Sequence, residues 1–198
     1  ALAQQLGCAY AETNEVVVAA SDVLFLAVKP QMMAGCLSQL TAQLQAKRPI
    51  IVSMAAGLSL QQLDALTGGG LPIIRIMPNT PVSTGEGMLL YTLSENVSAG
   101  WEKSFLSALA ETGRLSPLPE KLMDAGSAVS GCGPAFVDQF IEALADGGVA
   151  CGLPRAKAQM YAAQMLLGAA KLILESGKHP GELKDAVCSP GGSTIAGV

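Results

Sequence analysis

The amino-acid sequence predicts an α/β fold, a doubly wound parallel sheet, followed by an all-α domain. Three short apolar runs, at residues 23–28, 50–54 and 73–77, are rich in Val, Ile and Leu and too short for helices. Such runs are typical of strands that are buried on both faces of a parallel sheet. Helical segments separate the runs, and from residue 133 onward the sequence is nearly all helical. The order strand, helix, strand, helix, strand indicates right-handed crossovers.

The helices that separate these strands are predicted at residues 31–46 and 60–67. Ser59 precedes the second helix and Gln62 follows three residues later, which is the spacing of a capping box. A further strand is expected at residues 87–93, because this run is again apolar and short.

The boundary between the domains is predicted in the polar segment that follows a helix at residues 99–112. Gly113 is expected to end that helix. The predicted domains are therefore an α/β sheet domain at residues 1–123 and a helical domain at residues 124–198.

The helical domain is expected to pack against a second subunit. The helix predicted at residues 155–175 carries apolar or small residues on almost every face, including Met160, Leu167 and Leu174. A helix that is apolar all round must be buried all round, and one small domain offers too little interior for that.

Composition excludes several classes of partner. The net charge of −4 and the 4% of aromatic residues do not suit a nucleic-acid site, which needs clustered cations and exposed rings. The five scattered cysteines form no Cys-x-x-Cys pair, so we predict no metal site and a reducing cytoplasm. Every apolar run is shorter than the roughly 18 residues of a membrane span.

The first candidate site is formed by the loops that follow the predicted parallel strands. In an open sheet of this kind, ligands bind beyond the carboxyl ends of the strands. The loops at residues 27–31, 55–57 and 78–81 are built mainly of small residues and prolines, with one cation, Lys29, which is placed to meet a phosphate or a ribose hydroxyl. The alternative is that they are ordinary turns, where Pro and Gly are common.

The glycine pattern that binds a pyrophosphate, Gly-x-Gly-x-x-Gly, does not occur in the sequence. Residues 68–70 are three glycines, but they lead into a strand and are interpreted as a loop. If the sheet binds a dinucleotide, we expect its first strand and glycine turn upstream of Ala1. The dinucleotide-binding domain would then be incomplete.

The second candidate site is the turn in the sequence CSPGGSTIAGV, at residues 188–198. Gly192, Ser193 and Thr194 open a helix, and their backbone N–H groups would suit a carboxylate. The alternative is a simple turn between helices. His179 precedes Pro180 and is interpreted as a turn residue, so we predict that the protein positions its ligands and does not supply a strong nucleophile.

Six segments together resemble the pyrroline-5-carboxylate reductase family: LAVKPQ, SMAAG, RIMPNTP, AVSGCGPAF, EALADGGVACGLPR and GKHPGELKDAVCSPGGSTI. The resemblance covers essentially the whole chain. It implies a Rossmann domain followed by an all-helical dimerisation domain, in a homodimer that can build larger rings. It also implies a cytoplasmic oxidoreductase that reduces 1-pyrroline-5-carboxylate to L-proline, the last step of proline biosynthesis, with NADPH and sometimes NADH.

The resemblance also assigns the candidate site residues. The cofactor would contact Ala27, Val28, Lys29, Pro30, Ala55, Ala56, Gly57, Asn79 and Thr80. The substrate carboxylate would contact Val187, Ser189, Gly191, Gly192, Ser193 and Thr194. The Thr194 hydroxyl would lie near the imine nitrogen and would be the catalytic group.

The sequence departs from the family pattern in ways that leave alternatives open. It is expected to be truncated at both ends, Ser193 stands where relatives often carry Thr or Ala, and Ala186 stands where some carry Asn. One alternative is a non-catalytic dimerising fragment. Another is a reductase-like paralogue that has lost its cofactor-phosphate loop, related to hydroxyacid or deazaflavin-linked dehydrogenases, which lack the Ser-Pro-Gly-Gly turn.

Overall fold

A computed structural model describes residues 2–198 and contains two compact units. The first unit, Ala1–Pro134, is an α/β sheet with its helices, and the second, Ala135–Val198, is helical. This pattern agrees with the predicted fold class. The predicted domain boundary after residue 123 stays a prediction.

The sheet has five strands in the order β1-β2-β3-β4-β5. Strands β1 to β3 are parallel, as predicted, and β4 and β5 are parallel to each other. β4 runs antiparallel to β3, because only a single 3₁₀ turn, Thr80–Thr84, connects them and a parallel crossover needs a longer segment. The strands are β1 Val23–Leu26, β2 Ile50–Ser53, β3 Ile73–Met77, β4 Gly87–Leu93 and β5 Gly113–Pro117.

Helices flank the sheet and continue into the second unit. Two of them, α3 and α4, replace the single helix predicted at residues 31–46. They separate at Leu40 because the Thr41 hydroxyl donates to the carbonyl of Leu37 at 3.0 Å, which ends the first helix. The helices are α1 Leu2–Leu6, α2 Asn14–Ala20, α3 Pro30–Ser38, α4 Thr41–Lys47, α5 Leu60–Thr67, α6 Ala99–Ala108, α7 Met123–Ser130, α8 Gly133–Ala150, α9 Arg155–Ser176, α10 Pro180–Ala186 and α11 Ser193–Gly197.

Strand β5 was not predicted from the sequence. The helix expected at residues 99–112 ends at Ala108, and a 3₁₀ turn, Ala110–Thr112, follows it. Gly113 then begins β5 with φ of 131°, opposite Gly87. A Cβ atom on Gly113 would lie 2.1 Å from the Gly87 carbonyl oxygen, so this pairing requires glycine.

The core lies on both sides of β2 and β3, which are buried as predicted. Helices α3, α4 and α5 cover one face, and α6 covers the other through Phe105. Strand β1 differs from the prediction, because Val23 and Phe25 are 37% and 43% exposed. They line an apolar groove beside Trp101, at the margin of the face that α6 covers.

In the helical unit, α8 and α9 approach closely through small side chains. Ala145, Ala158 and Ala162 are buried between them. A Cβ atom on Gly148 would lie 3.3 Å from the Cβ of Ala158. Within the described residues, no helix is both long enough and apolar enough to cross a membrane.

Candidate functional site

The parallel strands bring the predicted cofactor loops to one edge of the sheet. Leu26 pairs with Ser53, and Ser53 pairs with Arg75, so β1 and β2 end side by side and β3 continues two residues further, to Met77. The loop at residues 27–30 follows β1, the loop at residues 55–57 follows β2, and Asn79 and Thr80 follow β3. A flat ligand could lie across this edge, against backbone and small side chains.

The loop after β1 contains a lysine, Lys29, whose side chain pairs with no carboxylate among the described residues. Lys29 precedes α3 with an extended backbone, and Pro30 occupies the first turn of that helix. The Lys29 side chain is exposed and forms no salt bridge among residues 2–198. Its ammonium group is therefore available to an anion. Ala27 is exposed, and Val28 and Pro30 are half-buried.

The loop after β2 offers mainly backbone to a ligand. Ala55 is only 2% exposed and belongs to the core, so its side chain faces away from solvent. Ala56 and Gly57 are exposed. Gly57 has φ of 75°, which glycine adopts without strain, and the space beside its Cα is open.

The loop after β3 is held by the side chain of Asn79. Its Nδ2 donates to the carbonyl of Ser130 at 2.9 Å, and its Oδ1 accepts from the backbone N–H of Met88 at 2.9 Å. Both ends of the amide are therefore occupied by the chain itself. Thr80 is exposed at the start of the 3₁₀ turn and is the freer of the two predicted contacts.

A cluster of two carboxylates around the buried Arg75 was missed from the sequence. Arg75 is 4% exposed, and its guanidinium lies 3.4 Å from Glu120 and 3.2 Å from Asp124. Glu120 also accepts a hydrogen bond from the backbone N–H of Leu60 at 2.5 Å. The only signal in the sequence is a charged residue inside the apolar run IIRIM.

The predicted carboxylate site in the second unit is an exposed turn that opens α11. Gly191 has φ of 68°, and the N–H of Gly192 donates to the carbonyl of Ser189 at 3.0 Å. A Cβ atom on Gly192 would lie 2.7 Å from the Ser189 Oγ, so a side chain at this position would require the serine hydroxyl to rotate away. The first N–H groups of a helix have no acceptor within it, and Ser193 and Thr194 occupy these positions.

The rest of the predicted substrate turn is open to solvent. Val187 is 63% exposed, and Ser189 and Thr194 are also exposed. Just upstream, a hydrogen bond and the charge of Asp185 raise the pKa of Lys184. The positive charge on Lys184 is thereby favoured within a few residues of this turn.

His179 has a structural position, as the sequence indicated. It precedes Pro180 as the N-cap of α10, and its Nδ1 accepts from the backbone N–H of Gly181 at 3.0 Å. The capping bond uses a ring nitrogen that a general base would need.

Comparison with known proteins covers the whole chain. The family described as pyrroline-5-carboxylate reductase dimerisation matches residues 120–198, and the family described as NADP oxidoreductase, coenzyme F420-dependent, matches residues 1–57. The chain is 46% identical over 188 residues to a pyrroline-5-carboxylate reductase of Synechocystis, which covers 93% of this chain and 68% of that protein. It is 43% identical over 198 residues to the Escherichia coli reductase, covering 100% of this chain and 73% of that protein.

A solved structure shows the same architecture. The pyrroline carboxylate reductase of Plasmodium falciparum with NADP bound aligns with a TM-score of 0.89 at 33% identity. The alignment covers 96% of this chain and 72% of that chain. The chain therefore has the fold of these enzymes over nearly all of its length.

Proposed function

The chain belongs to the pyrroline-5-carboxylate reductase family, and on that premise we propose that it reduces 1-pyrroline-5-carboxylate to L-proline, the last step of proline biosynthesis. The observation that carries the proposal in this structure is the convergence of small-residue loops and the free Lys29 at one edge of the sheet. The product is an amino acid that the cell uses in its cytoplasm, where we place the protein.

The cofactor proposed for this edge is NADPH, with NADH as a possible substitute. When bound, NADPH supplies the hydride that reduces the C=N bond. The exposed Ala27, Ala56 and Gly57 leave room for a flat group, and Lys29 offers a cation to a phosphate or a ribose hydroxyl. Thr80 borders the same edge, while Asn79 holds its loop in place.

The substrate is proposed to bind through its carboxylate at the turn before α11. The backbone N–H groups of Ser193 and Thr194 have no acceptor within α11 and would hold the carboxylate without a cationic side chain, and the Gly192 N–H would join them by giving up its hydrogen bond to the Ser189 carbonyl. Val187, Ser189 and Gly191 complete the turn around the ring. The Thr194 hydroxyl, or a water molecule that it holds, delivers the proton to the imine nitrogen.

Catalysis by this chain would rest mainly on positioning. Holding two reactants in the correct geometry can lower a barrier by about 7 to 11 kcal/mol in favourable cases. A strong acid or base is therefore not required, which agrees with the capping role of His179.

The protein is further proposed to act as a homodimer that can assemble into larger rings. The exposed apolar side chains of α8 and α9, among them Phe140, Leu167 and Leu174, support this assembly. Oligomers bury such faces, because large exposed apolar patches are unfavourable in water.

The proposal is tested by following NADPH oxidation in the presence of 1-pyrroline-5-carboxylate, with the unaltered protein and with Thr194→Val. Turnover is expected for the unaltered protein. The valine variant should lose roughly 10²- to 10⁴-fold in kcat, the usual contribution of a general acid, while its Kd for NADPH stays the same.

Thr194→Ser is the matched control, because it keeps the hydroxyl and should keep most of the turnover. Equal kcat values for the valine variant and the unaltered protein would remove Thr194 from the mechanism. A stable dimer with neither NADPH binding nor turnover would instead favour the alternative that the chain is a non-catalytic dimerising fragment.

A further inference from the structure

Glu120 joins separate parts of the sheet unit through one carboxylate oxygen. It lies in the 3₁₀ turn Glu120–Leu122, directly before α7. Its Oε1 accepts a hydrogen bond from the Leu60 N–H at 2.5 Å and another from Arg75 Nη1 at 3.4 Å. We infer that Glu120 is a positioning residue for the cofactor loop at residues 55–57, an inference that rests on the proposed function of that loop.

Arg75 fixes the position of the Glu120 carboxylate. The Arg75 side chain is 5% exposed and its Nε has no hydrogen-bond partner among the described residues. A buried guanidinium is costly unless it is paired, so it strongly favours a carboxylate at this place. An apolar residue in this strand would need no partner. The cluster is therefore better suited to fixing a geometry than to adding stability.

Through its hydrogen bond to Leu60, Glu120 restrains the end of the cofactor loop at residues 55–57. It is the first residue of α5, whose N-cap Ser59 accepts from Gln62 N–H and receives the Gln62 side chain in return. That capping box leaves the Leu60 N–H for an acceptor from elsewhere, and Glu120, 60 residues away, supplies it. Only two residues separate Leu60 from Gly57, so the bond fixes where the loop ends.

The other end of α7 holds the neighbouring cofactor loop. The carbonyl of Ser130, the last residue of α7, accepts the hydrogen bond from Asn79 Nδ2. The segment at residues 120–130 thus contacts the start of α5, directly after the loop that follows β2, through Glu120, and the loop after β3 through Ser130. Displacement of Glu120 is expected to move the first loop and to spare the second.

Asp124 provides a matched control for Glu120. Both carboxylates face the same guanidinium, and Asp124 lies 3.2 Å from Arg75 Nη2. Asp124 makes no hydrogen bond to the cofactor loops in the described residues, and its side chain is 87% exposed. Glu120→Gln and Asp124→Asn each remove one negative charge beside Arg75, but only the first changes the acceptor for Leu60.

The experiment compares these two variants with the unaltered protein by amide hydrogen exchange and by steady-state kinetics. Glu120→Gln is expected to speed exchange of the Leu60 amide and to raise the KM for NADPH by roughly tenfold, the usual scale for a hydrogen bond to a charged group. Its KM for the imine should stay unchanged. Asp124→Asn should remain near the unaltered protein in both measurements.

Glu120→Asp keeps a negative charge beside Arg75. Because the aspartate side chain is one methylene shorter, its oxygen should no longer reach the Leu60 N–H. This variant should show the same rise in KM with a better-preserved melting temperature, which guards against a variant that folds poorly. Unchanged Leu60 exchange in both Glu120 variants would overturn the inference, as would equal effects in Asp124→Asn. Exchange needs no cofactor, so the two failures are distinguishable: unchanged Leu60 exchange overturns the role of Glu120, whereas absence of turnover in the unaltered protein overturns the proposed function.

Discussion

At the scale of single residues, some predicted cofactor contacts have unpaired side chains and others already hydrogen-bond within the protein. Lys29 and Asn79 were both predicted to contact the cofactor, but only Lys29 has an uncommitted side chain. The position of both residues follows from the strand ends and could be predicted from the sequence. The engagement of Asn79 could not, because its partner Ser130 lies 51 residues away.

Replacement of Lys29 by Ala should weaken NADPH binding in a salt-dependent way. A single exposed ion pair contributes about 0.2 to 1 kcal/mol, so the Kd is expected to rise by a few-fold at low salt and less at high salt. Titration calorimetry at several salt concentrations measures this change. Lys103→Ala, at an exposed lysine of α6, is the control and should leave the Kd unchanged. A Kd that Lys29→Ala does not alter would place the phosphate elsewhere.

Tyr91 stabilises the sheet through a buried hydroxyl. The hydroxyl donates to Glu102 Oε1 at 2.9 Å, and the ring meets Phe105 edge-on with centroids 5.6 Å apart. Burial, and then the hydrogen bond and charge of Glu102, raise the pKa of Tyr91. The neutral hydroxyl is therefore favoured in the folded protein.

Tyr91→Phe should lower the free energy of unfolding at neutral pH by about 1 kcal/mol, the net value of one hydrogen bond. Because the folded pKa lies above the unfolded value of about 10, the contribution of Tyr91 is full below that pH and is lost as pH rises through the folded pKa. Urea unfolding at neutral and alkaline pH measures both effects. An alkaline loss of stability as steep in the variant as in the unaltered protein would rule out this assignment.

At the scale of elements, the strands with a strong apolar pattern were predicted, and the edge strand β5 was not. β2 and β3 are buried runs of Ile and Val, whereas β5 has the sequence GRLSP and a largely polar pattern. An edge strand that is only partly buried needs no apolar run. The break between α3 and α4 was missed because it depends on one side-chain hydrogen bond, from Thr41 to Leu37.

Gly113→Ala tests the close pairing of β4 and β5. The new methyl group would clash with the Gly87 backbone and would sit at an unfavourable φ, so we expect a loss of stability of more than about 2 kcal/mol. Gly35→Ala in α3 is the control, because its Cβ would meet open space in a helix and should stabilise by about 0.5 to 1 kcal/mol. Thermal unfolding compares the two. A Gly113 variant as stable as the unaltered protein would contradict the strand pairing.

At the scale of the whole molecule, the surface of α9 supports the proposed assembly with a second copy of the chain. Three of its polar residues, Lys157, Gln164 and Lys171, recur every seventh position and so form one narrow stripe, whereas Arg155 and Gln159 near its start lie off that stripe. On either side of the stripe, the large apolar side chains are 45% to 64% exposed. They are Met160, Tyr161, Met165, Leu167, Leu172 and Leu174.

Leu167→Glu should dissociate the proposed homodimer, because a charge buried at an apolar interface is strongly unfavourable. Light scattering is expected to give the mass of a monomer for this variant. Gln164→Glu adds the same charge within the polar stripe and should leave the dimer intact. A Leu167 variant that remains dimeric at micromolar concentration would exclude this face of α9 from the interface.

The most direct test of the account is a crystal structure of the protein soaked with L-proline, the proposed product. The carboxylate of proline should lie within hydrogen-bonding distance of the backbone N–H groups of Gly192, Ser193 and Thr194, with the ring nitrogen near the Thr194 hydroxyl. Proline bound at any other place, with this turn left free, would contradict the proposed site.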